Sequence, residues 1–132
     1  MAKPEPSLDA WLAEAKASSD AAQCGMFLCH NGVVRVTPKA QVRAGETGLP
    51  DVDRIEFSYD AAGVDAAIAD TLKMDGIFYV RVWLNEGTVR VGDSLMYVLI
   101  GGDIRPRVID ALQSLVGTIK NELVVEKEIY VD

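Results

Sequence analysis

Positive charge is what this chain has too little of. Its 13 Lys and Arg stand against 20 Asp and Glu, for a net charge of −7. That excludes a general nucleic-acid-binding surface, which needs a dominant basic field. It leaves room for a local basic pocket, and on a surface that repels anions any convergence of Lys and Arg is the more informative. Cysteine is scarce too: Cys24 and Cys29 fall in one apparent strand. Their spacing puts them on opposite faces, which argues against a disulfide between them and for buried free thiols. There is one histidine, His30. One His and two Cys without a second cluster make no zinc site, and a lone His leaves a Ser-His-Asp triad without readable partners. No apolar run approaches the length of a membrane span. The opening "MAKPEPSLDA" has no apolar signal-peptide core, so the chain is expected to be cytoplasmic.

What is present is enough for one domain over residues 1–132 with a real core, at 49% hydrophobic and 25% charged residues. Residues 1–6 are Pro-rich and expected to be loose. Ser7 is placed as an N-cap, with Asp9 near the helix start and Leu8, Trp11, Leu12 and Ala15 at helical spacing, so a helix is expected over 7–17. "GMFLCHNGVVRV" reads as a buried strand, bulged around "NG". "TPKAQVRAGETGLPD" has two Pro, two Gly and little periodicity, and 36–50 is expected as a long loop. "VDRIEFSYD" alternates as a strand, "AGVDAAIADTLKM" is a helix and "GIFYVRVWLN" a strand. A turn at Gly92-Asp93 precedes the apolar strand Ser94–Ile100. "DIRPRVIDALQSLVGTIKN" is the clearest helix, with Pro106 in its first turn and a stripe through Val108, Ile109, Leu112, Leu115, Val116 and Ile119. A strand beginning near Leu123 ends the chain. The order predicts an α+β architecture in which two main helices cover a mostly antiparallel sheet.

The last strand holds an oddity. Alternate residues share a face, so Leu123, Val125, Lys127, Ile129 and Val131 point one way. Lys127 thus interrupts an apolar row. It can snorkel, guard an edge strand or stand as a functional ammonium. Lys120, just upstream, is by itself an ordinary charge at a helix C-terminus. Arg105 and Arg107 sit at the start of the long helix, where the backbone favours an anion; pairing with Asp103 is the plain alternative. Arg35 ends the first strand, and its plain reading is an exposed strand-end charge. "IGGD" at 100–103 lacks the rest of a phosphate-loop or dinucleotide fingerprint.

Four pieces, "GMFLCHNGVVR", "VDRIEFSY", "GTVRVGDSLMYVLIGGDIR" and "LVGTIKNELVVEKE", occur in an order and spacing that resembles the large, catalytic subunit of molybdopterin synthase. The shared features are a strand ending in Gly-x-Val-Arg, the spacing from Gly87 to Gly92-Asp93, and a helix-end lysine followed seven residues on by a second lysine. The resemblance implies an α/β hammerhead fold and a homodimer within a heterotetramer. It implies sulfur insertion into cyclic pyranopterin monophosphate. The sulfur comes as a thiocarboxylate on the Gly-Gly tail of a small ubiquitin-like carrier subunit. No bound cofactor is implied. Residue by residue, the pocket lysines match Lys120 and Lys127, and the pocket arginines match Arg35 and Arg105. Arg35 and Arg105 would bind anionic substrate groups. Lys120 and Lys127 would position thiocarboxylate and substrate and assist proton transfer. Lys120 could alternatively take a covalent link to the carrier tail.

There are departures. The family's His-Arg reads Ile104-Arg105 here, a second His-Arg reads Leu84-Asn85, and a His-Tyr reads Ser58-Tyr59. "VTP" replaces its Asp/Asn-His-Asn run, and the sequence stops at Asp132, before the family's further hairpin and tail. A working synthase subunit is therefore weighed against a non-catalytic relative that keeps the dimer and an anion pocket. A third reading is an anion or nucleotide binder with other chemistry. Retention of all four basic positions favours the first.

Overall fold

The computed structural model describes residues 3–131. Its elements are α1 (Leu8–Lys16), β1 (Met26–Val33), α2 (Lys39–Ala44), β2 (Val52–Tyr59), α3 (Ala61–Leu72), β3 (Ile77–Leu84), β4 (Gly87–Arg90), β5 (Ser94–Gly102), α4 (Arg105–Thr118), a π-helical turn (Ile119–Leu123) and β6 (Val124–Tyr130). The α+β, antiparallel expectation holds, with one refinement. Among the described residues the strands form two three-stranded sheets, ordered β1-β5-β3 and β4-β2-β6, with every pairing antiparallel.

β5 explains the division. It reads as a nearly continuous apolar run because it is central in its sheet and covered on both faces. Met96, Val98 and Ile100 face the main core with Phe57 of β2 and Val108 and Leu115 of α4. Leu99, of opposite parity, meets Trp11 and Ala15 of α1. Ser7 caps α1 as expected, accepting from the Ala10 N–H at 3.2 Å. The buried stripe of α4 runs through Val108, Ala111 and Leu115 and continues into Ile119 of the π-helical turn, while Ile109 is left 36% exposed. Gly92, with φ +90, makes the turn before β5, a conformation that costs glycine little.

Two expected features are replaced. The loop over 36–50 contains α2, whose first residue follows Pro38 and whose C-cap is the left-handed Gly45. Met1 and Ala2 lie outside the described residues, but Lys3 and Glu5, expected to be loose, are held. Lys3 Nζ donates to Tyr59 Oη at 2.8 Å and to the Leu84 carbonyl at 2.6 Å, between the Tyr59 and Trp83 rings. Glu5 accepts from the Ser94 N–H and the Tyr97 hydroxyl, both at 3.1 Å. Lys3 thereby joins β2 of one sheet to β3 of the other. The cysteines are free thiols as expected, but both are half-buried rather than buried, and burial is the main cause raising each above its ordinary pKa. No helix among the described residues is long and apolar enough to cross a membrane.

Candidate functional site

The site forms where α4 ends. The π-helical turn widens the last turn of the helix and hands the chain to β6, which pairs with β2. Such turns recur at functional places because the extra residue re-aims a side chain. Here the side chain is Lys120, 24% exposed, with Nζ 3.0 Å from Glu126 Oε1. Lys39 of α2 reaches the other oxygen, Oε2, at 2.9 Å. The Lys39 backbone N–H donates to Glu128 Oε2 at 2.9 Å. Two carboxylates of β6 therefore clasp the first turn of α2.

Glu126 is the buried member, with its side chain 5% exposed. Burial alone would raise its pKa. Hydrogen bonds from Lys39 and Lys120, with their charges, outweigh that and hold the carboxyl below its usual range. Arg35, Lys39, Arg43, Lys120, Glu126 and Glu128 surround a small recess of about 40 Å³. Arg35 is exposed and makes no ion pair among the described residues.

A larger cleft of about 430 Å³ adjoins it, sharing Arg43 and Lys120 and bounded by His30 of β1 and by α4. His30 is half-buried. Burial first, and then the Lys120 charge, lower its pKa below the ordinary imidazole value, so at neutral pH it is uncharged.

Of the four basic residues singled out from the sequence, the structure brings two together. Arg35 and Lys120 line the same recess. Arg105 is exposed at the opposite end of α4, about 22 Å away along the axis at 1.5 Å per residue. Its neighbour Arg107, not Arg105, pairs with Asp103, at 2.8 Å.

Lys127 is on the other side of the strand. Within β6 the row expected to be apolar and inward is the outer one, with Val125 66% and Val131 53% exposed, while Leu123, in the π-helical turn, packs on the core. Lys127 lies directly opposite Glu56, and that outer face also carries Arg54, Thr88 and Arg90. The inward positions pair Glu126 with Phe57 and Glu128 with Ile55. β6 is an edge strand, so Lys127 has the geometry of an edge guard.

Sequence reasoning missed Lys39, Arg43, Glu126 and His30. His30 was visible as the single histidine, in the middle of β1, and was weighed only as a metal ligand or triad member; nothing local tells which face of that strand meets α4. At the Leu84-Asn85 pair, Asn85 is buried and held by three hydrogen bonds. It donates to the Ser94 carbonyl at 2.8 Å and accepts from the N–H groups of Lys3 and Glu86.

No family model matches the sequence. The chain is 31% identical over 87 residues to an amylopullulanase of Thermoanaerobacterium thermosulfurigenes, a stretch that is 66% of this chain and 5% of that enzyme. The chain thus spans about a twentieth of that relative, and a likeness so limited carries no activity over. Solved structures agree over far more. A molybdopterin biosynthesis MoaE protein from Burkholderia ambifaria superposes with TM-score 0.71 at 17% identity, covering 98% of this chain and 83% of its own. Molybdopterin synthase from Staphylococcus aureus gives 0.67 at 16%, covering 83% and 77%. A chain in the complex of subunits 1 and 2 of molybdopterin-converting factor from Helicobacter pylori gives 0.65 at 17%, covering 95% and 81%. At these identities the likeness establishes architecture: this chain has the fold of molybdopterin synthase and the MoaE proteins.

Proposed function

We propose that the chain is a divergent member of the molybdopterin synthase large-subunit family, acting in molybdenum cofactor biosynthesis. In this reading it inserts sulfur into cyclic pyranopterin monophosphate. The observation that carries the reading is the gathering of Arg35, Lys39, Arg43 and Lys120 at one end of α4 in a chain of net charge −7. A phosphorylated substrate and a thiocarboxylate are both anions, and each needs such a place on an acidic protein. Arg35 binds an anionic substrate group by charge-assisted hydrogen bonds. Lys120 neutralises the incoming thiocarboxylate and assists proton transfer. The sulfur arrives on the Gly-Gly tail of a small carrier subunit, a partner supported by the two-subunit Helicobacter complex of the same fold. Arg105 cannot reach this recess within one chain, so its part in the reaction requires a second copy, in keeping with a homodimer inside a heterotetramer. Lys127 likewise acts only where another molecule closes over the outer face of β6.

A second reading has one observation on its side. Glu126 already neutralises Lys120, and a non-catalytic relative that keeps the fold and carrier contact would tolerate that pairing. The test is sulfur insertion with thiocarboxylated carrier from the same genome. Wild type is expected to form product and Lys120→Ala to lose it, with Lys127→Ala assayed beside them. A wild-type chain that binds the carrier but forms no product would replace the synthase by the interaction module.

A further inference from the structure

The slot that holds the Lys3 ammonium has the make-up of a cation receptor. Its walls are the rings of Tyr59 and Trp83, with centroids 4.9 and 5.6 Å from Nζ. Its acceptors are the Tyr59 hydroxyl at 2.8 Å and the Leu84 carbonyl at 2.6 Å. Ring faces draw a cation, and the two oxygens take N–H donors that a primary ammonium has and a quaternary one lacks. Leu84 ends β3, an edge strand of its sheet. An edge carbonyl is open to a donor from outside the sheet. The slot shares no residue with the recess at Glu126.

Neither ring depends on Lys3 for its place. Tyr59 packs on the main core. Trp83 packs with the Trp11 cluster and stands edge-on to Tyr97, centroids 5.7 Å apart. The occupant, by contrast, rides on residues 3–6, which form no helix or strand. Among the described residues their backbone makes no hydrogen bond to another backbone group. Each bond that pins them has a side chain at one end: Lys3 to Tyr59, Leu84 and Asn85, and Glu5 to Ser94 and Tyr97. Such a segment opens locally at far less cost than the sheets beneath it.

A cavity of about 210 Å³ opens beside the ammonium, with Val64, Ile68 and Val82 among its apolar walls and Asp65 in its lining. Among the described residues Lys3 is the one cation that lines it. Without that side chain the charge left is a carboxylate, beside acceptor oxygens and ring faces. An anion has no partner of opposite charge there. An alkylammonium has acceptors for its head and apolar wall for its methylenes, on a protein whose net charge of −7 draws cations. We propose that Tyr59, Trp83, Leu84 and Asp65 form a binding site for a primary alkylammonium group, which Lys3 fills in cis and an outside amine fills when the strap of residues 3–6 lifts. Two sources share this chemistry, a free alkylamine and the lysine of another protein. While the strap is down, Lys3 competes at the high effective concentration of a tethered group, so the site is latent.

The test opens the slot with Lys3→Ala in the full chain. The probe is n-butylammonium, a lysine side chain without its backbone, followed by calorimetry and melting temperature. Lys3→Ala is expected to bind it at millimolar concentration and to melt higher in its presence, with wild type binding at least about tenfold more weakly. Lys3→Gly opens the slot equally and should behave the same way. Lys3→Met loses the same ammonium but keeps a chain in the slot, so it should bind as weakly as wild type. Trp83→Leu added to Lys3→Ala should abolish binding. Tetramethylammonium at the same ionic strength carries the charge without an N–H and should bind far less. Nα-acetyl-lysine methylamide separates the sources. Binding on a par with n-butylammonium assigns the slot to a protein lysine, and its exclusion assigns the slot to free amines. A folded Lys3→Ala or Lys3→Gly that ignores n-butylammonium would overturn the proposal. Equal responses of Lys3→Ala and Lys3→Met would do so too, by placing the amine elsewhere on the acidic surface, as would equal binding of tetramethylammonium.

Discussion

Replacing Glu126 by glutamine removes one charge and almost no volume, so its effect isolates the clasp between β6 and α2. Glu126 accepts from Lys39 at 2.9 Å and from Lys120 at 3.0 Å. A hydrogen bond to a charged group contributes about 1.5–3 kcal/mol. The lysines are 39% and 24% exposed, however, and solvent screening reduces each bond to roughly 0.5–1.5 kcal/mol. Glutamine keeps one acceptor and turns an amide toward the other ammonium, leaving two like charges uncompensated beside it. The expected loss at neutral pH is about 1–3 kcal/mol, or a fall of roughly 4–10 °C in melting temperature for a domain of this length. The pH dependence has a definite sign. The folded Glu126 pKa is depressed, so its contribution is present above the unfolded value near 4.5 and is lost as pH falls through the lower folded value. Urea denaturation of wild type and variant, at neutral pH and at about pH 3, should show a gap that closes in acid. A glutamine variant as stable as wild type at neutral pH would refute the reasoning, because the carboxylate charge would then contribute nothing to the clasp. A gap that persisted unchanged in acid would assign the loss to shape rather than charge.

Three further outcomes follow from other parts of the molecule. Ile100→Ala, at a fully buried position of β5, should lower stability by about 2–5 kcal/mol in chemical denaturation. Lys3→Met should cost about 1–2 kcal/mol by removing two hydrogen bonds and the contact with two rings, and tryptophan fluorescence should report the altered Trp83 environment. The depressed His30 pKa means that the unfolded chain binds that proton first. Stability should therefore decline as pH falls from neutral through 6.5 and below, and His30→Gln should flatten the decline between neutral pH and the carboxylate range.

The helices and strands were legible where one period was clean. α1, α3, α4 and β5 declare themselves through spacing, caps and apolar runs. α2 did not, because six residues without an apolar stripe carry no periodicity. Its trace was the Pro38 before it and the left-handed Gly45 after it, the proline-then-glycine asymmetry of helix ends. The parity of β6 was unreadable for a different reason. Leu123, Val124 and Val125 are all apolar, so the strand's start fits either face. What draws Glu126 inward is Lys39, 87 residues away in sequence. Arg105 and Lys120 are each recognisable alone, but only the length of α4 shows that one chain cannot bring them together.

The five residues from Ile119 to Leu123 therefore work as a selector. A strand shifted by one residue exchanges all its faces. Deleting a single residue inside this turn would let α4 close as an ordinary helix and advance β6 by one place. Lys127 would then enter the position Glu126 holds, and the glutamate would turn to the outer face. The local charge beside Lys120 would change from a carboxylate to a second ammonium without any substitution. In such a turn the length of the chain, rather than the choice of side chain, decides whether the recess welcomes an anion, and gain or loss of one codon would be enough to toggle it.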